Sequence, residues 1–209
     1  MAYKLEQSIE TKAYSRIKGS GKGWAFSPHD FARLGPRSSI DFALHRLHRR
    51  GVIRRVIRGI YDYPRSSELL GRLLGPDLDQ VAQALARKFG WRTQPSGIAA
   101  QNILGLSTQV PAKLVYLSDG PERQYTIGKT TLEFKHTALK ETGFTLRESS
   151  LIVHALKSFG QDGIMPEVLA KIRGWLDPKL RSKVLTDTQT ATGWIYAAIR
   201  KICRDGADE

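Results

Sequence analysis

Residues 38–64 read SSIDFALHRLHRRGVIRRVIRGIYDYP, and a change of pattern within this stretch decides the fold. The first half predicts an amphipathic helix from about Ser39 to Arg50, because its apolar residues recur at helical spacing. Gly51 is expected to end that helix, since glycine readily takes the left-handed conformation that follows many helices. Beyond Gly51 the spacing changes to short β-branched runs, which are typical of strands.

Those runs predict a β-hairpin. The first strand covers residues 52–57, Arg58-Gly59 forms the turn, and the second strand covers residues 60–63 before Pro64. A helix followed at once by such a hairpin is typical of the second half of a winged helix-turn-helix.

The residues before the quoted stretch supply the other half. Apolar residues four positions apart predict a first helix over residues 5–17, and residues 24–26 predict a short strand. Ser27-Pro28 then provides a cap and a first-turn proline for a short helix that ends at Leu34. The order helix, strand, helix, helix, hairpin predicts a winged helix-turn-helix DNA-binding domain over residues 1–66.

Positive charge is concentrated in this predicted domain. The chain has a formal net charge of +13, and residues 1–66 hold 14 Lys/Arg against 5 Asp/Glu, a net of +9. The rest of the chain holds the remaining 19 basic and 15 acidic residues, a net of +4. From Arg46 to Arg58 there are six arginines and no acidic residue. This distribution indicates a polyanionic partner, with solubility alone as the simpler alternative.

The quoted helix has an apolar stripe of Ile40, Ala43, Leu44 and Leu47, which must pack on the two preceding helices. In a helix-turn-helix the second helix of the pair enters the major groove, where arginine reads guanine and helix N-termini hold phosphate. The candidate DNA-binding residues therefore lie on the outward face, at the helix start and on the hairpin: Arg37, Ser38, Ser39, His45, Arg46, Arg49, Arg54, Arg55 and Arg58.

These candidates have different expected roles. Arg46 and Arg49 are expected to contact bases or adjacent phosphates, and the hairpin arginines to lie along a phosphate strand or at a minor-groove edge. Ser38 and Ser39 either hold phosphate or only cap the helix. Phe42 also lies on the outward face, where it either contacts a thymine methyl group or packs against the second domain.

The remaining residues, 67–209, predict a second domain. Residues 66–76 predict a linker or a short connecting helix. The expected elements are helices at 78–89 and 96–104, strands at 113–117, 124–127 and 131–136, and helices at 148–159, 165–175, 178–185 and 191–203. The predicted fold class is therefore α+β: a winged helix-turn-helix followed by an α/β domain with a small antiparallel sheet and a helical C-terminal end.

The sequence carries no sign of a cofactor or a membrane anchor. Cys203 is the only cysteine, which excludes a disulfide framework and a cysteine-based zinc site and agrees with a reducing compartment. His45 and His48 have no partner at metal-ligand spacing, so we expect solvated side chains, no metal and no cofactor. The first residues have no apolar core of the signal-peptide type, and no apolar run is long enough to span a membrane. We therefore expect a cytoplasmic protein without a membrane partner.

Roughly residues 27–64 resemble the N-terminal winged helix of AbiEi-like antitoxins, the antitoxin halves of type IV toxin–antitoxin systems known from phage abortive infection. The shared pattern is a helix that ends in Leu-x-x-x-Gly, a short basic strand, and Arg-Gly-hydrophobic-Tyr with a proline soon after. In this chain the pattern is formed by Leu47 with Gly51, residues 53–56, Arg58-Gly59-Ile60-Tyr61 and Pro64.

The resemblance implies a function as well as a fold. It implies a non-enzymatic protein that binds double-stranded operator DNA upstream of its own operon and represses transcription there. It also implies that residues 67–209 form an antitoxin domain, which counteracts a toxin of the nucleotidyltransferase fold directly or indirectly. Repeated operator sites are compatible with cooperative or dimeric binding.

Two other functions are compatible with the sequence. Glu133-Phe134-Lys135 is an acid-x-Lys on a predicted strand, and Asp119 follows an earlier strand, as in Mg²⁺-dependent nucleases of the restriction type. In such a site Asp119 and Glu133 hold the metal and Lys135 helps to activate water, although any half-exposed strand shows the same alternation. The other alternative is a winged-helix transcriptional regulator whose second domain senses a ligand.

Overall fold

The computed structural model describes residues 8–107, 112–137 and 144–204 of the 209 residues. The chain divides into two compact units, residues 1–91 and residues 92–209. The predicted fold class is confirmed, because a winged helix-turn-helix comes first and a sheet with C-terminal helices follows.

The first unit is a winged helix-turn-helix with an additional hairpin and helix. Its elements are α1 (Ile9–Ser20), β1 (Ala25–Phe26), a 3₁₀ helix (Pro28–Leu34), α2 (Arg37–Arg49), β2 (Arg54–Ile57), β3 (Ile60–Asp62), β4 (Ser66–Ser67), β5 (Arg72–Leu73) and α3 (Leu78–Phe89). Strand β3 lies between β1 and β2 and is antiparallel to both, so the predicted hairpin is the wing of the fold. The first helix was predicted from residue 5, and residues 5–7 lie outside the described part of the chain.

The core of this unit contains the apolar stripe predicted for α2. Ile40, Leu44 and Leu47 are at most 1 % exposed and belong to one cluster with Phe26 and Phe31. The two phenylalanine rings meet edge to face with 5.4 Å between their centroids. Each such buried side chain stabilises the fold by about 1.5–3 kcal/mol. This burial fixes which face of α2 points outward.

Two glycines shape the connection from α2 to the wing. Gly51 has a φ of +71°, its N–H donates to the carbonyl of His48, and the N–H of Val52 donates to the carbonyl of Leu47. This pair of bonds is the Schellman motif, which confirms Gly51 as the residue that ends the helix. Gly59, with a φ of +76°, completes the two-residue turn of the wing.

The segment 66–76 forms a hairpin rather than the predicted linker or short helix. Ser66 pairs with Leu73, and Ser67 pairs with Arg72. Leu69 in the connecting loop is 95 % exposed. Strands of two residues are too short to show alternation, and the residues of these two strands include no β-branched or aromatic residue that would mark a strand.

The first unit also extends beyond the boundary predicted after residue 66, because α3 packs against β1, β3 and the 3₁₀ helix. Arg87 of α3 strengthens this attachment: its Nε lies 2.7 Å from Asp30 Oδ1, and its Nη2 donates to the carbonyl of Ala25. Val81 and Leu85 of α3 are buried. The structural division therefore comes after residue 91 and not after residue 66.

The second unit combines a four-stranded sheet with helices. Its elements are β6 (Thr93–Pro95), α4 (Gly97–Ile103), β7 (Lys113–Ser118), β8 (Arg123–Ile127), β9 (Thr130–His136), α5 (Arg147–Phe159), α6 (Pro166–Trp175), a 3₁₀ helix (Pro178–Leu180), α7 (Arg181–Asp187) and α8 (Gly193–Cys203). The strand order is β6-β7-β9-β8. Strand β9 lies between β7 and β8; it runs parallel to β7 and antiparallel to β8. Two of its three strand pairs are antiparallel, as predicted, and the β7–β9 pair is parallel, so the sheet is mixed.

The helices of the second unit share an apolar core. Leu151 and Ile152 of α5 and Ile195 and Ile199 of α8 are fully buried in it. Cys203 lies in the same cluster. Among the described residues, no helix combines the length and the apolar character needed to cross a membrane.

Candidate nucleic-acid interface

Helix α2 presents an exposed stripe on the side opposite its buried residues. Ser38, Phe42, His45 and Arg49 follow each other at spacings of three and four residues, so their side chains lie on one face. All four are exposed, and Phe42 is 60 % exposed. The outward face predicted from the helical pattern is therefore the solvent-facing face of α2.

The start of α2 lies beside this stripe. The helix begins at Arg37, its N-cap residue is Pro36, and no side chain of the described residues caps it. Ser38 and Ser39 thus lie inside the first turn and not at the cap, which contradicts the capping alternative. Arg37 Nε lies 2.9 Å from each carboxylate oxygen of Asp41. This exposed pair contributes little stability and leaves the guanidinium within reach of a ligand.

Arg46 and Arg50 share a carboxylate from α1. Arg46 Nε lies 2.6 Å from Glu10 Oε2, and Arg50 pairs with the other carboxylate oxygen. The Glu10 side chain is 14 % exposed, whereas those of Arg46 and Arg50 are 49 % and 59 % exposed. The carboxylate therefore holds both guanidinium groups while they stay accessible. In addition, Arg46 Cζ lies 4.9 Å from the ring centroid of Phe42, a cation–π contact.

Arg49, Arg55 and Arg58 are exposed, and none of them makes a hydrogen bond or ion pair with another described residue. Arg49 lies on the outward stripe of α2, Arg55 on strand β2, and Arg58 in the turn of the wing. His45 shares this exposed and unpaired state. A guanidinium without an internal partner keeps its full capacity to pair with phosphate.

Arg54 requires a correction to the predicted site. Its Nε and Nη2 donate to the two carboxylate oxygens of Asp62, at 3.0 and 2.5 Å, and its Nη1 donates to the carbonyl of Leu74 at 2.8 Å. Asp62 is 1 % exposed and lies directly opposite Arg54 in the β2–β3 register. Successive side chains of a strand point to opposite faces, so Arg54 stabilises the wing while Arg55 faces outward.

The surface formed by α2 and the wing is strongly positive. Its six cations and two carboxylates give a formal charge of +4: Arg37, Arg46, Arg49, Arg50, Arg55 and Arg58 against Glu10 and Asp41. The macrodipole of α2 adds partial positive charge at the N-terminal end of the helix. Such a surface attracts polyanions and makes their binding strongly dependent on salt concentration.

The three residues of the nuclease alternative do not form the expected site. Glu133 on β9 pairs with the residue of β7 that stands four positions before Asp119. At about 3.3 Å per residue, the two carboxylates are roughly 13 Å apart along the strands, which is too far to share one metal ion. Glu133 Oε2 instead lies 2.7 Å from Lys113 Nζ, and Asp119 Oδ2 lies 2.9 Å from Arg92 Nε. The prediction that Lys135 joins two convergent carboxylates is wrong.

The ionisation of these groups follows from their partners. The hydrogen bond from Lys113 lowers the pKa of Glu133, and the hydrogen bonds from Arg92 lower the pKa of Asp119. Burial raises the pKa of the Cys203 thiol, which disfavours the reactive thiolate. Within the described ranges, no three His, Cys, Asp or Glu residues are grouped so that they could hold a metal ion.

Glu10 is a site residue that the sequence pattern did not reveal. In the sequence it is only an acidic residue in the first turn of α1, a position that the helix dipole favours. Its partner Arg50 stands 40 positions away, so no local spacing connects the two. Only the packing of α1 on α2 brings the carboxylate to the arginines.

Comparisons with known proteins cover both units of the chain. A family profile described as "Family of unknown function (DUF6088)" matches residues 12–184, a range that includes α2, the wing and the sheet of the second unit. No curated protein matches the chain.

Proposed function

We propose that this chain, which belongs to the DUF6088 family of unknown function, binds double-stranded DNA through its winged helix and represses its own operon. The observation that carries the proposal is the set of unpaired arginines on α2 and the wing: Arg49, Arg55 and Arg58. Three exposed guanidinium groups with no partner among the described residues are suited to binding a phosphate backbone.

The fold suggests how the contacts are divided. Helix α2 enters the major groove with Arg49 towards the base edges, where arginine pairs with guanine. The first turn, with Ser38 and Ser39, holds a phosphate through backbone N–H groups and hydroxyls. Arg55 and Arg58 of the wing contact the neighbouring phosphate strand. Only the base contacts discriminate between sequences, because phosphate contacts position the protein without reading the bases.

We also propose, from the resemblance of residues 27–64 to AbiEi-like antitoxins, that the protein is the antitoxin of a type IV toxin–antitoxin system in phage defence. In this proposal the chain acts in the cytoplasm and needs no enzymatic activity or cofactor, and its second unit counteracts a nucleotidyltransferase-like toxin. Co-expression with the product of the adjacent gene tests this role. If co-expression restores growth that the adjacent gene product alone inhibits, the antitoxin role is supported. If growth changes only when a small molecule is added, the ligand-sensing regulator is supported.

The DNA-binding proposal is tested by fluorescence anisotropy on duplex DNA from the region upstream of the gene, over a range of salt concentrations. Replacing Arg49, Arg55 and Arg58 by alanine is expected to weaken binding by about 100-fold or more, since the base contact of Arg49 contributes about 1–3 kcal/mol and the phosphate contacts of Arg55 and Arg58 add to it. The slope of log affinity against log salt is expected to fall by about 0.9 for each lost phosphate contact.

A charge-matched control is available in the second unit. Lys171, Arg200 and Lys201 are exposed, and their replacement by alanine removes the same three charges from another surface. The control variant is expected to retain most of the affinity of the wild type. Equal losses in both triple variants would show that the net charge matters and the α2–wing surface does not.

A further inference from the structure

Phe42 is an apolar side chain in a position that folding does not explain. It is 60 % exposed, whereas Ile40, Leu44 and Leu47 of the same helix are at most 1 % exposed. Tyr14, another exposed aromatic residue of this unit, is 37 % exposed. Single exposed apolar residues are common on protein surfaces, so exposure alone assigns no role. The neighbours of Phe42 distinguish it from such a residue.

Phe42 and Arg46 form an ordered pair. They are one helical turn apart, the guanidinium of Arg46 covers one side of the ring, and Glu10 holds that guanidinium through Nε at 2.6 Å. The three side chains line an open cleft of about 470 Å³ between α1 and α2. An aromatic ring and an arginine head, both accessible and both held in place, therefore lie next to each other on the DNA-facing side of α2.

The major groove contains two groups that match this pair. The C5 methyl group of a pyrimidine is the apolar group that base pairs expose there, and guanine presents its N7 and O6 acceptors to arginine. The rise of about 5.4 Å per helical turn allows residues one turn apart to reach neighbouring base pairs. A ring without an arginine beside it would detect only the methyl group.

We propose that Phe42 and Arg46 read a pyrimidine C5 methyl group next to a guanine, with Glu10 as the residue that positions Arg46. This inference rests on the proposed DNA binding and adds the chemical group that is recognised. Thymine and 5-methylcytosine both carry that methyl group, so the test separates them.

The test compares upstream duplexes that differ in single atoms or groups, bound to the full chain and followed by anisotropy. Replacing every thymine by uracil removes only methyl groups and is expected to weaken binding about fourfold for each methyl group that is contacted. Replacing guanine by 7-deazaguanine removes the N7 acceptor and is expected to weaken binding about tenfold. An increase in affinity when cytosine is replaced by 5-methylcytosine would identify methylated cytosine as the preferred source of the methyl group.

The variants assign each effect to a side chain. Phe42→Ala is expected to bind the thymine and uracil duplexes equally, and Phe42→Leu to keep part of the preference. Arg46→Ala is expected to lose part of the sensitivity to 7-deazaguanine, the remainder being due to Arg49, while it keeps sensitivity to uracil. Glu10→Gln leaves Arg46 present but loosely held, so the sensitivity to 7-deazaguanine is expected to fall. The overall affinity for DNA is expected to stay about the same, because the loss of the negative charge of Glu10 offsets the weakened contact.

The outcomes separate this inference from the proposed function. If the wild type binds the thymine and uracil duplexes equally well, the proposed reading of a methyl group is overturned. If the triple arginine substitution still abolishes binding in that case, the proposed DNA binding stands. Absence of binding to any of the duplexes overturns the proposed function together with the inference.

Discussion

The arginine-rich residues 45–65 and the strands between residues 113 and 136 both carry patterns typical of functional sites. The structure exposes the charged side chains of the first region together, whereas it separates those of the second. In the first region the helix and the wing bring Arg49, Arg55 and Arg58 to the surface, and none of them has a hydrogen-bond or ion-pair partner in the described part of the chain. In the second, Asp119 and Glu133 are separated along the sheet, and each is paired with its own cation.

The difference comes from how each pattern depends on distant contacts. One face of a helix is fixed by a local period of 3.6 residues, so the outward residues of α2 follow directly from its buried stripe. A site made from two strands depends on their order and register, which the local sequence does not specify. The exposed position of charge on a helix face is therefore easier to predict from sequence than the convergence of acidic residues from two strands.

The largest effect on stability is expected from removing α3, which packs against the winged helix. A chain that ends at residue 66 lacks α3, including buried Val81 and Leu85 and the Arg87–Asp30 ion pair. The lost burial amounts to about 5 kcal/mol, which is comparable with the whole stability of a small domain. We expect residues 1–66 to show no cooperative thermal transition by circular dichroism.

Residues 1–91 serve as the control, because they end where the first unit ends. This fragment is expected to unfold cooperatively and to retain DNA binding. A stably folded 1–66 fragment with full DNA affinity would restore the boundary predicted from the sequence and make α3 an accessory element.

A smaller effect is expected from two neighbouring arginines of β2. Arg54→Ala leaves the buried carboxylate of Asp62 without its cation and is expected to lower the free energy of unfolding by about 3 kcal/mol. Arg55→Ala removes an exposed side chain and is expected to change stability by less than about 0.5 kcal/mol while it weakens DNA binding. Chemical denaturation and anisotropy measure the two properties separately.

A rescue variant sharpens this comparison. Adding Asp62→Asn to Arg54→Ala replaces the uncompensated buried charge by a neutral amide and is expected to recover part of the lost stability. Equal stability of the Arg54 and Arg55 single variants would show that both arginines belong to the outward surface.

The smallest effect is expected in the second region. The pKa of Glu133 is lowered by the hydrogen bond from Lys113, so its contribution to stability is present above the unfolded value, about 4.3, and is lost as the pH falls through the lower folded value. Glu133→Gln is therefore expected to lower the melting temperature slightly at pH 7 and to match the wild type at an acidic pH below the folded pKa of Glu133.

Glu122→Gln is the matched control, because Glu122 is exposed, and its melting temperature is expected to equal that of the wild type at both pH values. DNA affinity at pH 7 is expected to stay unchanged in both variants. Mg²⁺-dependent cleavage of DNA that disappears in Glu133→Gln would bring back the nuclease alternative despite the separation from Asp119.

Much of the fold was predictable because its signals are local. The spacing of Val81 and Leu85 marked α3 with the correct bounds, and Gly51 marked the end of α2. The wing followed from two β-branched runs around Arg58-Gly59. The β4–β5 hairpin and β6 were missed, because such short strands show no period and these lack the aromatic residues that marked the equally short β1 and β3.

Within the candidate site, residue type alone did not distinguish between neighbouring arginines. Arg54 and Arg55 are adjacent and identical in sequence terms, yet one is bound to Asp62 and the other is unpaired. Arg46 and Arg49 likewise differ through Glu10, which α1 supplies.

The sequence by itself determined most of the elements, the outward face of α2 and the excess of positive charge, because periodicity, turn residues and composition act over a few residues. Tertiary structure alone decided that α3 belongs to the first unit, that Glu10 holds Arg46, that Arg54 is internal, and that Asp119 and Glu133 lie apart. Each of these depends on which distant segments pack together, and packing of an apolar surface is not directional enough for a local pattern to specify its partner.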